Sequence, residues 1–212
     1  MKKSKGLIIG EEIFSSVTHG IGVLLGLSGL VILLSLAFKN HKAENIPAII
    51  AFEGALIISF LFSTLFHSLS FTGAKKVFQI LDHTSIFLLI AGTYTPFALL
   101  AMPPKTGWTL LLFIWGLAIT GIILKAIRPA GKRKVFLFVY LAMGWLAVVT
   151  SGSLLPDFPL IGLQLLITGG LLYSAGTIFY LWQKLPFSHG VWHLFTIAGS
   201  FCHFLAVIYL IT

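Results

Sequence analysis

The chain has 212 residues, of which 58% are hydrophobic and only 9% charged, and its mean hydropathy is +1.02. So few charges cannot cover a water-soluble domain, which excludes a soluble enzyme or binding module and requires an integral membrane protein. The net charge of +8 would suit nucleic acid, but the lysines and arginines lie in short segments between apolar runs, where membrane topology accounts for them without such a partner.

The start, Met1-Lys2-Lys3-Ser4-Lys5, is similar to the basic opening of a signal peptide. Glu11 and Glu12 interrupt the approach, the apolar run that follows is too long, and no small-residue cleavage site stands out, so a retained cytoplasmic tail is expected. Seven transmembrane helices are then predicted, at Ile13–Phe38, Pro47–Leu69, Phe78–Ala101, Trp108–Leu124, Val135–Leu155, Leu160–Trp182 and Gly190–Ile211. Together they form an all-α, seven-helix bundle that occupies residues 1–212 as one domain. The turns between them are polar or proline-rich: Lys39–Lys42, Thr72–Lys76, Met102–Lys105 and Pro129–Lys134. Pro47 suits a first helical turn, whereas Pro96 is expected to kink or break the third span. Recurrent glycines such as Gly22, Gly26, Gly169 and Gly199 allow helices to approach closely in lipid. The single cysteine, Cys202, lies inside the last span, so no intramolecular disulfide can form.

Eleven of the 14 Lys and Arg residues fall at the N-terminus and in the second, fourth and sixth connections. The positive-inside rule therefore predicts a cytoplasmic N-terminus and an external C-terminus, in a multi-pass protein of the cell membrane.

That orientation sets the depth of the ionisable residues. His67 ends the second span, Asp82 begins the third, and His189 and His193 begin the seventh, so all four converge near one membrane face. Ionisable groups in hydrocarbon are costly and mark function. His189 and His193 are spaced i, i+4 on one helical face, and with His67 they offer three imidazoles and an open fourth position, the pattern of a catalytic zinc. Asp82 would hold or deprotonate water there. Ser63, one turn before His67, is placed to support the site. Glu12, Ser15 and His19 form a further polar cluster on the first span, either a wall or gate to the site or simple helix capping. His83 should point about 100° away from Asp82, and His203, about 15 Å deeper than His193, cannot reach the same ion. Glu53 lies too far from His67 to be a ligand and is read as lining a polar cavity.

Four segments carry a resemblance: Glu-Glu-Ile-Phe-Ser-Ser-Val-Thr-His (11–19), Ser-Thr-Leu-Phe-His (63–67), Leu-Asp-His-Thr-Ser-Ile-Phe-Leu-Leu-Ile-Ala-Gly-Thr-Tyr-Thr-Pro (81–96) and His-Gly-Val-Trp-His with the helix running on to His203-Phe204. The chain resembles the hemolysin III group of the progestin and adipoQ receptor (PAQR) family, related to the adiponectin receptors, over essentially its whole length. The resemblance implies zinc held by His67, His189 and His193, with Asp82 near the zinc-bound water. Ser15 departs from the family, which usually has asparagine there. What the resemblance implies in turn is a zinc-dependent intramembrane hydrolase of ceramide-like lipid amides, with membrane lipids as its partners and a role in membrane-lipid homeostasis. The alternatives are a non-catalytic lipid or membrane-state sensor with structural zinc, and the cytolytic activity that the family label suggests.

Overall fold

A computed structural model describes residues 4–128, 133–150, 152 and 158–212, with the side chains of 147–150 left aside. The expected tail at 1–3, the turn at 129–132 and the end of the fifth span near Leu155 lie outside these residues. Among the described residues the chain is entirely helical, with α1 Lys5–Lys39, α2 Ile46–Ser68, α3 Lys75–Leu100, α4 Pro104–Ile127, α5 Arg133–Thr150, α6 Leu160–Leu181 and α7 Ser188–Ile211. All except α5 are long and apolar enough to cross a membrane. α5 opens on Arg133-Lys134 and is described only to Thr150.

α1 starts eight residues earlier than expected because Ser4 caps it, its hydroxyl accepting from the Leu7 amide. α3 continues through Pro96 as one helix, so of the kink or break expected there the break is not present. Pro96 is fully buried, and its helix is clasped by α2 on one side and α4 on the other. Large side chains such as Leu24, Val31, Leu112 and Phe138 point outward and exposed, as they must on a surface that meets lipid.

Consecutive helices from α1 to α4 pack as neighbours, α7 joins α1 to α6, and α5 touches α3 and α6. α1 and α7 run parallel. At one end His193 meets Ser15, and at the other the Asn40 amide donates to the Ile211 carbonyl at 3.0 Å. The shared end therefore gathers the starts of α1, α3 and α7 and the end of α2. The opposite end is filled by Leu33, Ile49, Phe52, Phe97 and Val207.

Close approach is built into the sequence. A Cβ at Gly190 would lie 2.2 Å from the Phe14 ring, and one at Gly22 would lie 2.7 Å from Phe60. Only glycine lets α1 sit this near α7 and α2 at these points.

Candidate metal centre

The start of α7 is held by α1. Phe187, just before the helix, adopts a left-handed conformation with φ of 58°. Its amide donates to the Glu11 carboxylate at 2.9 Å, and its ring meets Phe14 edge-on. A bulky residue at positive φ is unfavourable and persists only when its surroundings hold it. The result is that His189 and His193 are presented toward α2.

There they meet His67. The three rings have centroids 5.0 Å (His67–His189), 5.1 Å (His67–His193) and 4.7 Å (His189–His193) apart, and one nitrogen from each lies within 4.8 Å of the others. The Nε2 atoms of all three are buried without a hydrogen-bond partner. Buried polar atoms are ordinarily satisfied, so three bare nitrogens converging on one point are a donor set lacking its acceptor. Two nitrogens on one tetrahedral zinc ion stand about 3.3 Å apart.

Hydrogen bonds on the far nitrogens fix the tautomers. The Nδ1–H of His67 donates to Glu12 Oε2 at 2.7 Å. That of His193 donates to the Ser15 carbonyl at 3.1 Å, with Thr18 Oγ1 at 3.3 Å. In both rings the proton therefore sits on Nδ1 and the Nε2 lone pair faces the cluster. A ligating histidine characteristically gives its other N–H to a carboxylate or carbonyl. Neutral imidazoles suit zinc, and the residues present fit that ion.

His19 backs the cluster. It stacks on His193 with centroids 3.5 Å apart and planes 9° from parallel, and its Nε2 bonds Thr196 Oγ1 at 3.1 Å. The choice left open for the first-span cluster is thereby narrowed. α1 begins at Lys5, so Glu12, Ser15 and His19 lie well inside the helix and cap nothing; they wall and brace the histidines. Glu12 is the side chain bonded to His67 Nδ1. Ser63 is buried and lines a cavity together with Asp82.

Asp82 is nearly buried and stands beside the triad rather than within it. His83 does not turn away from it as expected: its Nδ1 lies 3.3 Å from Asp82 Oδ2 and 2.7 Å from the Gln79 carbonyl. Helical side chains lean back over the preceding turn, and bonding Gln79 carries the His83 ring past the carboxylate.

Two cavities lie beside this centre. One is predominantly apolar and runs from His19, Ser63 and Asp82 along the bundle to Tyr173 and His203. The other is a polar mouth at the helix-start end, lined by His67, His189, Glu12, Lys125 and Arg133. Tyr140 and Tyr180 border both. The mouth cations drew no attention in the sequence because they also serve the topology count. His203 is absent from the cluster, as expected, although only its Nε2 is satisfied, by the Leu166 carbonyl at 3.1 Å. Glu53 lines neither of these two cavities; its carboxyl lies buried and unpartnered against Gly29 of α1.

Comparison with known proteins agrees with this architecture. Residues 8–204 match the Haemolysin-III related family. The chain is 44% identical over 201 residues to Hemolysin-3 of Bacillus cereus, covering 95% of this chain and 92% of that protein. It is 43% identical over 203 residues to the Hemolysin-3 homolog of Bacillus subtilis (strain 168), covering 95% and 94%. Monocyte to macrophage differentiation factor of Homo sapiens is 30% identical over 204 residues, covering 93% and 83%. The chain is thus a multi-pass membrane protein that belongs to the haemolysin-III-related family, the hemolysin III group of the PAQR proteins.

Proposed function

We propose that this protein is a zinc-dependent intramembrane hydrolase of lipid amides, ceramide-like in type. The observation that carries the reading is the set of three orphaned Nε2 atoms, two of them in rings whose tautomer is fixed, beside an apolar cavity and a polar mouth that share Tyr140 and Tyr180 in their linings. His67, His189 and His193 would hold the metal. When bound there, zinc supplies Lewis acidity toward a carbonyl and a lowered pKa for water.

The chain's own residues supply the rest. The apolar cavity takes an acyl chain and leaves the polar end of the lipid near Asp82. Asp82 receives the proton as water adds to the amide carbonyl, and returns it to the leaving nitrogen when the C–N bond breaks. The products are a carboxylic acid and an amine. Glu12 and the Ser15 carbonyl keep two of the imidazoles in the tautomer this requires.

We further infer seven spans in the cell membrane, with the N-terminus cytoplasmic. The parallel course of α1 and α7 supports this, as do the eleven basic residues assigned to that side. Reporter fusions that put both termini on one side would overturn it.

The test of the activity is Asp82→Asn. In proteoliposomes containing ceramide and related amides, the wild type should release free acid in a zinc-dependent manner. The variant should keep its zinc and lose about 10²–10⁴-fold in rate. Undiminished turnover would remove Asp82 from the reaction.

A sensor with structural zinc is the second reading, favoured by donors that come from separate helices, since an ion held by α2 and α7 would cross-link them. It predicts no turnover on any lipid. Cytolysis rests on the relatives' printed names, and a secreted pore-former must survive in water, which this apolar exterior does not suit.

A further inference from the structure

The apolar cavity is lined by a polar side chain that the hydrolytic reading does not use. His203, in the second half of α7, borders the cavity and is only 7% exposed. α6 and α7 each carry a glycine that receives the other's ring here. A Cβ at Gly169 would lie 2.4 Å from both Cδ2 and Nε2 of His203, and one at Gly199 would lie 2.9 Å from the Tyr173 ring. The His203 Nε2–H donates to the Leu166 carbonyl of α6 at 3.1 Å. The imidazole edge that carries Nε2 and Cδ2 therefore faces α6. Nδ1, the ring atom opposite that edge, is turned away from it.

With the proton on Nε2, Nδ1 is a lone-pair acceptor, and among the described residues nothing donates to it. Tying α6 to α7 takes one nitrogen; the second is left over in the wall of a cavity. Buried acceptors are ordinarily satisfied, yet the hydroxyls of Tyr173 and Ser200 beside it pair with each other at 2.6 Å. A neutral imidazole among apolar walls suits a neutral donor, since a cation there would lack a counter-charge. The simplest neutral donor on an aliphatic chain is a hydroxyl. His203 stands about 15 Å along α7 from His193, out of reach of a polar lipid end held near Asp82. The hydroxyl must therefore be carried on the chain.

We propose that His203 Nδ1 is the acceptor for a hydroxyl part-way along the chain of a lipid in the apolar cavity, which makes the cavity selective for lipids hydroxylated at mid-chain. The proposal rests on the preceding reading only in that the cavity holds a lipid chain; it needs neither turnover nor a metal.

The test is binding of stearate and its positional hydroxy isomers to full-length protein in phosphatidylcholine nanodiscs, followed by nitrogen NMR of labelled histidines. A hydroxyl that meets Nδ1 gains a partner, whereas one against the apolar wall has none. Affinity should therefore peak at one interior position, about tenfold above the isomer hydroxylated at the chain end. His203→Phe should lose the peak while binding stearate as before. His203→Gln, which again offers an N–H to Leu166 and an oxygen acceptor, should restore it in part. The Nδ1 resonance, identified by its loss in His203→Phe, should move when the favoured isomer is added and stay still with stearate. A flat positional profile with stearate bound would overturn the proposal and leave the lipid cavity standing. A peak that survives in His203→Phe would overturn it as well. So would an Nδ1 resonance that is hydrogen-bonded before any ligand is added and unmoved by the isomer, the sign of an ordered water in that place. Failure of stearate and every isomer to bind would remove the lipid cavity, and this site with it. Absence of hydrolysis with the peak intact would bear only on the preceding reading.

Discussion

The two halves of α7 each bury a histidine, and the pair differ in what surrounds them. His193 gives its Nδ1–H to the Ser15 carbonyl and leaves Nε2 bare. His203 gives its Nε2–H to the Leu166 carbonyl and leaves Nδ1 bare. Both are nearly inaccessible. Around His193, α2 brings His67, the first turn of α7 brings His189, and α1 brings Glu12 and Thr18. Around His203 the neighbours are Tyr173 and the backbone of Gly169. An orphan nitrogen alone does not define a metal centre. The candidate centre lies where the helix ends bring several such nitrogens together, two of them in rings oriented by a partner behind them.

The comparison breaks most sharply on zinc content. The His189→Ala, His193→Ala double variant should fall from about one zinc per chain to background, whereas His203→Ala should keep its full complement. Elemental analysis after removal of free metal decides between them, and zinc retained by the double variant would dissolve the distinction.

A finer probe is the partner behind the ligand. Glu12→Gln keeps the shape but loses the charge facing His67 Nδ1, and outer partners of this kind are worth about 10–100-fold in metal affinity. Competition with a chelator of known affinity should register that weakening. An unchanged affinity would mean that Glu12 does not tune the ligand.

The smallest effect is expected away from the centre. A Cβ at Gly92, midway along α3, would come 2.4 Å from the Ala55 Cβ and 2.7 Å from the Ala51 carbonyl of α2. Gly92→Ala should cost about 1–3 kcal/mol of stability through overpacking. Its thermal midpoint in detergent should drop with zinc stoichiometry unchanged; zinc lost together with stability would tie the two regions into one unit.

Much of the site could be read from the sequence because it depends on depth. Apolar runs place His67, Asp82, His189 and His193 at one level, and i, i+4 spacing puts two of them on one face. What sequence could not supply is rotation about each helix axis. α1 is apolar around most of its circumference, with Ile13, Val17, Leu24 and Val31 all turned outward, so hydropathy does not reveal that Glu12 faces His67, 55 residues away. The same gap hid the burial of Glu53 against Gly29, since the depth of a carboxyl says nothing of which helix it meets. His83 escaped for a local reason: angular position on the helix is legible, but the bend of the side chain toward Gln79 is not.

The most direct test of the account is X-ray absorption at the zinc edge on the purified wild type, repeated on His67→Ala. The wild type should show two or three nitrogens and at least one oxygen at about 2.0–2.1 Å, with no sulfur. The variant should have one nitrogen fewer or no zinc. Wild-type protein that takes up no zinc, or a spectrum that His67→Ala leaves unaltered, would contradict the assignment of this cluster as the metal centre.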